Sequence, residues 1–381
     1  MVTLAGALHE RGHRVDLVLA RAVGNFFDEI HPGVRVVDLG VRTILPALPA
    51  LLRLPSEGVH LLPAFLPPAP PRVLGAIPSL ARYLRTERPE AMLSALNYSN
   101  LAALWARRLS GAPTRLVVSE RNTLSLRAER AGDRGLRALP GMIRRFYPWA
   151  DAVIAVSDGV ADDLARVAGL PREAIVTTWN PVVSPALAEA AAEPLDHAWF
   201  QPGEPPVVLG AGKLRPQKDF ASLLDAFAEL RALRPARLLL LGEGPEESRL
   251  RVRARRLGIS ADVAFAGFVR NPFAYMARAA VFALSSAWEG LPAVLIQAMA
   301  CGCPVVSTDC PSGPSEILEG GVHGPLVPVG DARALAAAIL RVLDEPGDAE
   351  RRRRRAQDFS VERAAERYEA VLLPRPAQGG D

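Results

Sequence analysis

The sequence predicts an α/β protein with two doubly wound domains, each built on a parallel sheet. Short β-rich runs alternate with Ala/Leu/Arg stretches of helical period, which is typical of parallel strands joined by helices. The first set of runs is HRVDLVLA, VRVVDLG, EAMLSAL, TRLVVSE, DAVIAVS and AIVTTWN. A Pro/Ala/Glu-rich passage at 181–206 interrupts the alternation, which restarts with PVVLGAG, ARLLLLGEG, VAFAGF, VFALSS, PVVSTD and GPLVPV. The interruption predicts a domain boundary.

The same pattern predicts the extent of the domains. We expect an N-terminal domain at 1–190, a C-terminal domain at 205–356 and a last helix at 357–374, which includes SVERAAERYEAVLL and packs back toward the N-terminal domain. The sequence opens inside a helix, VTLAGALHERG, which feeds a strand near 15–20. In a doubly wound domain the strand before the first helix is central. We therefore expect that strand, and the glycine turn that follows it, to lie upstream of Met1.

Composition restricts the possible functions. Apolar residues make up 49% of the chain, yet no stretch approaches the roughly 18 apolar residues of a membrane-spanning helix. Three clustered cysteines, Cys301, Cys303 and Cys310, are too few for a secreted disulfide framework and favour the cytoplasm. Residues 1–185 hold 22 arginines against 16 acidic residues, which favours an anionic surface as a partner. Because the arginines are dispersed, no nucleic-acid partner is expected.

Two segments are candidates for contact with the inner face of a membrane or with an acceptor. Residues 136–150, LRALPGMIRRFYPWA, combine arginines with apolar side chains, as a membrane-surface helix does. An ordinary surface helix that packs its apolar side on the core explains them equally well. Residues 46–78 carry nine prolines, which argues against regular helix or a central strand. This segment is either a structural wrap over the domain or a loop that faces the acceptor or the membrane.

The stretch SSAWEGLPAVLIQAMACGCPVVSTDCPSGPSEIL at 285–318 carries the densest motif. A strand ending near Ser286 is followed by the turn WEGLP, a helix that begins at Pro292, and the next strand PVVSTD. The turn therefore lies at the carboxyl edge of a parallel sheet, beside a helix N-terminus, where such sheets bind ligands. Glu289 precedes the helix and Gln297 lies eight residues further on, so both can face one ligand.

The only two lysines of the chain, Lys213 and Lys218, lie five positions apart in GAGKLRPQKDF. Every other basic side chain, histidine aside, is an arginine. A lysine carries a compact charge on a flexible stem, and phosphate is its usual ligand. The pair therefore predicts a phosphate clamp.

The motifs GKLRPQK, LGEGPEESRL, VAFAGFV, WEGLPAVLIQAMACGCPVVSTD and GPSEI together closely resemble the nucleotide-binding half of the family-four retaining glycosyltransferases. These enzymes have the two-domain GT-B fold, in which two Rossmann-like domains face a central cleft. The first half is similar to the same family through LAGALHERGHRVDLVLA, SALNYSNLAALWARRL, VVSERNTLS, DAVIAVSDGVADDL and WNPVV. The order of these motifs is kept over about 350 residues. That order makes the resemblance specific.

The resemblance implies roles for the residues singled out above. Lys213 and Lys218 would bind the donor diphosphate, although the family more often has arginine at the first position. Glu289 matches the first glutamate of the Glu-x7-Glu motif, which approaches the donor sugar. The backbone amides of Gly290 and Leu291 would hold sugar hydroxyls.

Other positions depart from the family pattern. Gln297 stands where the second glutamate contacts the ribose, so weaker ribose binding is expected because an amide lacks charge. Val269 and Arg270 would border the base. Arg121, in SERNT, replaces a histidine that many relatives carry near the reacting sugar. Arginine cannot act as a base, which leaves an electrostatic role or a structural ion pair.

The resemblance thus implies a retaining glycosyltransferase that uses a nucleotide-diphosphate sugar, such as a UDP-sugar, and a glycan or lipid-linked acceptor of the cell envelope. It implies no cofactor and no metal, and the sequence has no Asp-x-Asp motif to chelate a metal-nucleotide. Two alternatives stay open: an epimerase of nucleotide sugars on the same fold, and a non-catalytic remnant that only binds them. The remnant is favoured by the absent first strand, Gln297 and Arg121.

Overall fold

The computed structural model describes residues 1–23, 27–65, 71–126 and 134–374. The chain divides into two compact units. The N-terminal unit contains Met1–Pro181 and Val361–Asp381, and the C-terminal unit contains Val182–Ser360.

The strands of the N-terminal unit pair in parallel and form two sheets, with the orders β1-β2 and β3-β4-β5-β6. Their bounds are β1 Asp16–Leu19, β2 Arg35–Asp38, β3 Ala91–Ala95, β4 Arg115–Glu120, β5 Ala152–Ala155 and β6 Ile175–Thr177. Helices in this unit are α1 Val2–Glu10, α2 Leu48–Arg53, α3 Pro55–Leu61, α4 Ile77–Glu87, α5 Asn97–Ser110, α6 Arg134–Phe146, α7 Asp158–Ala168 and, after the C-terminal unit, α16 Val361–Leu372.

The C-terminal unit has one parallel sheet with the order β12-β11-β10-β7-β8-β9. Its strands are β7 Val207–Ala211, β8 Arg237–Leu241, β9 Val263–Gly267, β10 Val281–Leu284, β11 Val305–Thr308 and β12 Leu326–Val327. Its helices are α8 Pro185–Ala192, α9 Phe220–Leu233, α10 Glu247–Arg256, α11 Phe273–Met276, α12 Ala293–Ala300, α13 Pro314–Ile317, α14 Ala332–Asp344 and α15 Ala349–Ala356. Each β-rich run quoted from the sequence forms a strand, so the predicted α/β class with parallel sheets is confirmed.

The C-terminal unit has a continuous apolar core between its sheet and the helices α9, α10 and α14. Phe227 and Leu223 of α9 and Ile339 of α14 are completely buried there, against side chains of the central strands such as Leu238. Strands covered by helices on both faces are apolar along their whole length. This core holds the carboxyl edge of the sheet in place.

In the N-terminal unit, α16 packs against α1 and β4. Tyr368 of α16 is completely buried beside Leu4 of α1 and Val117 of β4. The last helix therefore belongs to the core of this unit, although it follows the C-terminal unit in sequence.

A cavity of about 690 Å³ lies between β1 and β3. Among the described residues, β1 pairs only with β2, and β3 only with β4. Side chains of both strands that line the cavity, such as Leu17 and Leu93, are half-buried, whereas those of β4 are almost all buried. A strand upstream of Met1 stays a prediction.

The expectation that the proline-rich segment 46–78 excludes regular helix was wrong for its described part. Pro49 is the second residue of α2, and Pro55 is the first residue of α3. The backbone N–H groups at these positions have no partner inside the helix. Proline therefore costs no hydrogen bond at these positions. Residues 66–70 of the segment lie outside the described residues.

The membrane-facing interpretation of residues 136–150 was also wrong. The apolar side chains Leu139, Ile143 and Phe146 of α6 are completely buried. Phe146 packs edge-on against Trp105 and Trp149, with ring centroids 5.6 Å and 4.9 Å away. Arg137, Arg144 and Arg145 of this helix are exposed, because its apolar side belongs to the core.

Candidate active site

The candidate site lies at the carboxyl edge of the C-terminal sheet, where β7, β10 and β11 are neighbours. The turn after β7 carries both lysines, and the turn after β10 carries Glu289. Because parallel strands end at the same edge, these turns lie side by side. Ligands of open α/β sheets bind at this edge.

The turn after β7 leads through Lys213 and Lys218 to the start of α9. Asp219 caps this helix: its side chain accepts hydrogen bonds from the N–H of Ser222 at 3.3 Å and from the Ser222 hydroxyl at 2.7 Å. The carbonyl of Lys218 accepts a hydrogen bond from Ser285 Oγ at 2.8 Å. Lys218 is thus fixed between a helix cap and the end of β10.

Glu289 and Lys218 form a direct ion pair. Lys218 Nζ lies 2.6 Å from Glu289 Oε1, and the side chains are only 16% and 8% exposed. Ser286 Oγ donates to the same carboxylate oxygen at 2.7 Å. Gln217 Nε2 lies 3.4 Å from the other oxygen and donates to the Trp288 carbonyl at 3.0 Å. The carboxylate is therefore held on both oxygens in one orientation.

Gln217 and Ser286 were not predicted from the sequence as site residues. Both adjoin motif residues, because Gln217 precedes Lys218 and Ser286 ends the strand run before WEGLP. Adjacency in sequence was the only signal that could have found them. Their contacts with Glu289 depend on how two distant turns meet.

The three cysteines of the motif region are buried, with no disulfide between them. Burial raises the pKa of each thiol to about 12, so all three are protonated at neutral pH. At Cys310 the charge of Glu289 adds to the effect of burial in raising the pKa of the thiol. Within the described ranges, no group of His, Cys, Asp and Glu side chains is arranged to hold a metal ion.

The turn from Glu289 to Pro292 is closely packed against Gly313, at the start of α13. Gly313 has φ +97°, and a Cβ added there would lie 2.5 Å from Pro292 Cδ and 2.9 Å from the carbonyl oxygen of Gly290. Both contacts are shorter than real Cβ contacts. Pro292 itself is the N-cap of α12 rather than its first residue, a shift of one position from the prediction.

We expect Gly313→Ala to destabilise the protein by about 2 kcal/mol or more, because it adds backbone strain and a steric clash with the turn. Gly320→Ala is the matched control, since Gly320 also has a positive φ, +65°, but nothing lies within 4 Å of an added Cβ. Urea denaturation of both variants measures the difference. Equal losses of stability would contradict the close packing of the turn.

The remaining predicted donor-site residues lie in the same unit. Lys213 is exposed after β7, and Gln297 is half-buried on α12. Val269 and Arg270 follow β9, half-buried and exposed respectively. Gly290 and Leu291 are buried beside Glu289 in the turn.

Phe268, which precedes Val269, is 74% exposed. Its backbone N–H lies 3.3 Å from Glu243 Oε1, in the turn after β8. An aromatic side chain so exposed beside the predicted base-binding residues was not assigned a role from the sequence.

Arg121 belongs to the N-terminal unit, directly after β4. Its Nη1 donates to the hydroxyl of Tyr368 on α16 at 3.3 Å. Burial raises the pKa of Tyr368, so the phenol stays protonated. Arg121 therefore has a structural contact that holds the last helix against the end of β4.

Fold and site together define a class: a two-unit α/β protein with ammonium groups and an oriented carboxylate at the carboxyl edge of one sheet. Residues 193–359 match the family model of glycosyl transferases group 1, and residues 1–184 match that of glycosyltransferase family 4. The two models together span nearly the whole chain. The chain belongs to this family of glycosyltransferases, and the resemblance noted from its motifs is confirmed.

Two relatives are about 30% identical in sequence to this chain. One is the N-acetylgalactosamine-N,N'-diacetylbacillosaminyl-diphospho-undecaprenol 4-alpha-N-acetylgalactosaminyltransferase of Campylobacter jejuni, 29% identical over 282 residues, which are 74% of this chain and 73% of the relative. Another is the lipopolysaccharide core biosynthesis glycosyltransferase LpsE of Rhizobium meliloti, 30% identical over 237 residues, or 61% of this chain and 66% of the relative.

Solved structures show the same fold. HepE of Anabaena in complex with UDP and glucose has a TM-score of 0.73 and 22% identity, covering 98% of this chain and 95% of that one. Sucrose-phosphate synthase from Thermosynechococcus elongatus has a TM-score of 0.75 and 21% identity, covering 97% and 90%. The GT-B fold class is therefore confirmed.

Proposed function

We propose that this glycosyltransferase moves a sugar from a nucleotide-diphosphate donor, most simply a UDP-sugar, to a glycan or lipid-linked acceptor of surface polysaccharide synthesis. The observation that carries the proposal is the Lys218–Glu289 pair at the carboxyl edge of the C-terminal sheet. An ammonium and a carboxylate in contact can bind the two halves of a sugar diphosphate, the phosphate and the sugar hydroxyls.

The lysines would bind the diphosphate. Lys213 is exposed, and its ammonium group has no partner among the residues that the structure describes. Lys218 has a partner, Glu289, and would exchange part of that contact for a phosphate oxygen. Two ammonium groups supply the positive charge that the diphosphate needs. We therefore propose that transfer does not depend on a metal ion.

The carboxylate would orient the sugar. Ser286 and Gln217 fix Glu289 through both oxygens, so its free lone pairs keep a constant direction. The amides of Gly290 and Leu291 would add donors for sugar hydroxyls. Preorganised groups of this kind stabilise a transition state because they need no reorientation during the reaction.

The rest of the donor would lie along the same edge. Gln297 on α12 would accept or donate to the ribose hydroxyls. Val269 and Arg270 would border the base, and the exposed ring of Phe268 offers a surface for stacking. A flat aromatic face binds any base, so it adds affinity without selecting the base.

We propose transfer with retention at the anomeric carbon. The bond between that carbon and the diphosphate oxygen breaks, its electron pair leaves with the nucleoside diphosphate, and the acceptor oxygen forms the new bond on the same face. The acceptor proton passes to the departing phosphate oxygen. Lys213 and Lys218 would stabilise the charge that develops on the diphosphate, which makes them the main catalytic cations.

The acceptor side would be the N-terminal unit. Arg121 lies at the carboxyl end of β4, the edge at which such sheets bind ligands, and we propose an electrostatic role for it there. The relatives support the acceptor class, since one acts on a diphospho-undecaprenol-linked sugar and another in lipopolysaccharide core synthesis. The Anabaena structure, in complex with UDP and glucose, supports UDP as the nucleotide.

The test is calorimetric titration of UDP, GDP and their common sugar conjugates in the absence of metal. We expect one nucleotide series to bind, and Lys213→Ala to weaken that binding about ten-fold by removing one charge-assisted contact. Arg249→Ala is the control, because that side chain is 80% exposed on α10. If the folded protein binds no nucleotide, the proposal fails; binding without transfer to any lipid-linked or glycan acceptor would favour the non-catalytic alternative.

A further inference from the structure

Leu96 has a strained backbone at the carboxyl end of β3, where the chain turns into α5. Its φ of +79° and ψ of 139° lie close to a region that only glycine populates freely. Arg88 also has a positive φ, but its φ of 44° and ψ of 55° belong to the left-handed region that commonly ends a helix. A bulky side chain in the conformation of Leu96 costs free energy, so the surrounding fold must hold it there.

Two backbone hydrogen bonds hold Leu96 in this conformation. Its N–H donates to the carbonyl of Ser119 on β4 at 3.2 Å, and its own carbonyl accepts from the N–H of Asn100 at 2.8 Å. Asn100 Nδ2 in turn donates to the Ser119 carbonyl at 3.0 Å. The turn is therefore tied to the neighbouring strand directly through Leu96 and a second time through Asn100.

A buried carboxylate, that of Glu120, holds the residues that follow Leu96. Glu120 is the last residue of β4 and is 2% exposed. Asn97 Nδ2 donates to one of its oxygens at 2.6 Å, and Asn100 Nδ2 lies 3.1 Å from the other, to which the Tyr147 hydroxyl also donates. Burial and the charge of Glu120 raise the pKa of Tyr147, so the phenol keeps the proton that it donates. Because Asn97 and Asn100 form the first turn of α5, Glu120 fixes the backbone on which Leu96 lies.

The side chain of Leu96 is 52% exposed, although its backbone is held so firmly. Ala95 pairs with Ser119, so Leu96 lies level with Glu120 and beside the start of the turn that carries Arg121. This is the carboxyl edge of a parallel sheet, where open α/β sheets bind ligands. Strained residues that the surrounding structure over-determines cluster at ligand-binding sites. Glycine would adopt the same backbone without strain, so the exposed apolar side chain is the feature that the strain maintains.

We propose that Leu96 is a specificity-determining residue for the acceptor and that its side chain contacts the C–H face of the acceptor sugar. Glu120 is then a positioning residue, which acts through the turn that holds Leu96. The reacting atom of the acceptor is a sugar oxygen, and the C–H bonds on one face of a sugar ring form an apolar surface on which a leucine can pack. A free glycan and the sugar of a lipid-linked acceptor share this chemistry.

The inference rests on the proposed function, because it requires an acceptor. Nucleotide titration tests the donor side of that function separately. If the folded protein binds no nucleotide, the proposed function fails whatever Leu96 does. If it binds nucleotide and transfers sugar, but substitutions at Leu96 leave the use of the acceptor unchanged, only the present inference fails.

The experiment is steady-state transfer from the donor identified by calorimetry to methyl and octyl glycosides of glucose, galactose, N-acetylglucosamine and N-acetylgalactosamine. The main variant is Leu96→Asn, because asparagine tolerates a positive φ and has a similar size but a polar side chain. We expect the KM for the acceptor to rise about ten-fold, equally for methyl and octyl glycosides, because an apolar contact is lost. The affinity for UDP should not change. Leu96→Met keeps an apolar side chain and should stay within about two-fold of the unaltered protein. Leu233→Asn, at a leucine that is 68% exposed on α9 of the C-terminal unit, is the control.

Glu120→Gln tests the positioning role, because it removes the charge that accepts hydrogen bonds from Asn97 and Tyr147. The KM for the acceptor should rise, and Glu120→Gln/Leu96→Asn should raise it no further than Leu96→Asn alone, since Glu120 acts through Leu96. Additive effects would limit Glu120 to a structural role. Urea denaturation shows whether each variant is folded, and the Leu96 variants decide the main proposal even where Glu120→Gln does not fold.

Three results would overturn the proposal. The first is that none of the glycosides accepts the sugar. The second is that Leu96→Asn has the same KM for the acceptor as Leu233→Asn. The third is that Leu96→Asn raises the KM for octyl glycosides alone, since Leu96 would then contact the aliphatic chain and not the sugar.

Discussion

Replacing Glu289 by glutamine is expected to lower the turnover of sugar transfer by about 100-fold or more while the affinity for free UDP stays the same or increases. The amide keeps the shape of the side chain but removes the charge that would bind the donor sugar. In the unaltered protein, the same carboxylate forms an ion pair with Lys218, with 2.6 Å between Glu289 Oε1 and Lys218 Nζ. Without it, Lys218 is free to bind the diphosphate.

Steady-state kinetics with the donor identified by calorimetry, together with UDP titration, separates these two effects. Asp225→Asn is the control, because Asp225 also pairs with a cation, Arg253 Nε at 2.7 Å, but on the exposed faces of α9 and α10. It should leave turnover unchanged. A Glu289→Gln enzyme with normal turnover would remove Glu289 from the reaction and leave it a structural partner of Lys218.

The strands and their positions along the chain were predictable because each strand carries its own signal, a short apolar run bounded by turn residues. The order of the strands within each sheet was not predicted. The two helices in the proline-rich segment 46–78 were missed, since Pro49 and Pro55 were judged by the density of prolines rather than by their position in a helix. The side of α6 that faces the core was also undetermined. Periodicity shows that Ile143 and Phe146 share one side, but not whether lipid or protein covers it.

The sequence assigned Lys218 and Glu289 to one candidate site but did not predict that they are in contact. Lys218 and Glu289 were selected for different halves of the donor, and their ion pair depends on how the turns after β7 and β10 meet. The sequence around either residue does not determine how the two turns pack together, because the residues are 71 positions apart. Arg121 shows the same limit: its bond to Tyr368 joins residues 247 positions apart.

The ion pair also predicts that replacing Lys218 has a large effect on both nucleotide binding and stability. Lys218→Met is expected to weaken UDP binding by about 10- to 100-fold, because one charge-assisted contact is lost. It should also reduce the free energy of unfolding by about 3 kcal/mol, because Glu289 stays almost buried, 8% exposed, without its cation. Urea denaturation measures the stability and calorimetry the affinity.

Stability and binding should then respond differently to a second substitution. In Lys218→Met/Glu289→Gln no charge is left uncompensated, so most of the lost stability should return, whereas UDP binding should stay weak because no ammonium has been restored. The cycle over the two single variants and the double variant isolates the pair, since the residues are in contact and their effects should not add. Additive losses of stability would mean that Ser286 and Gln217, rather than Lys218, compensate the carboxylate. If UDP binding returned along with stability, Lys218 would act by holding Glu289 in place and not by binding the diphosphate.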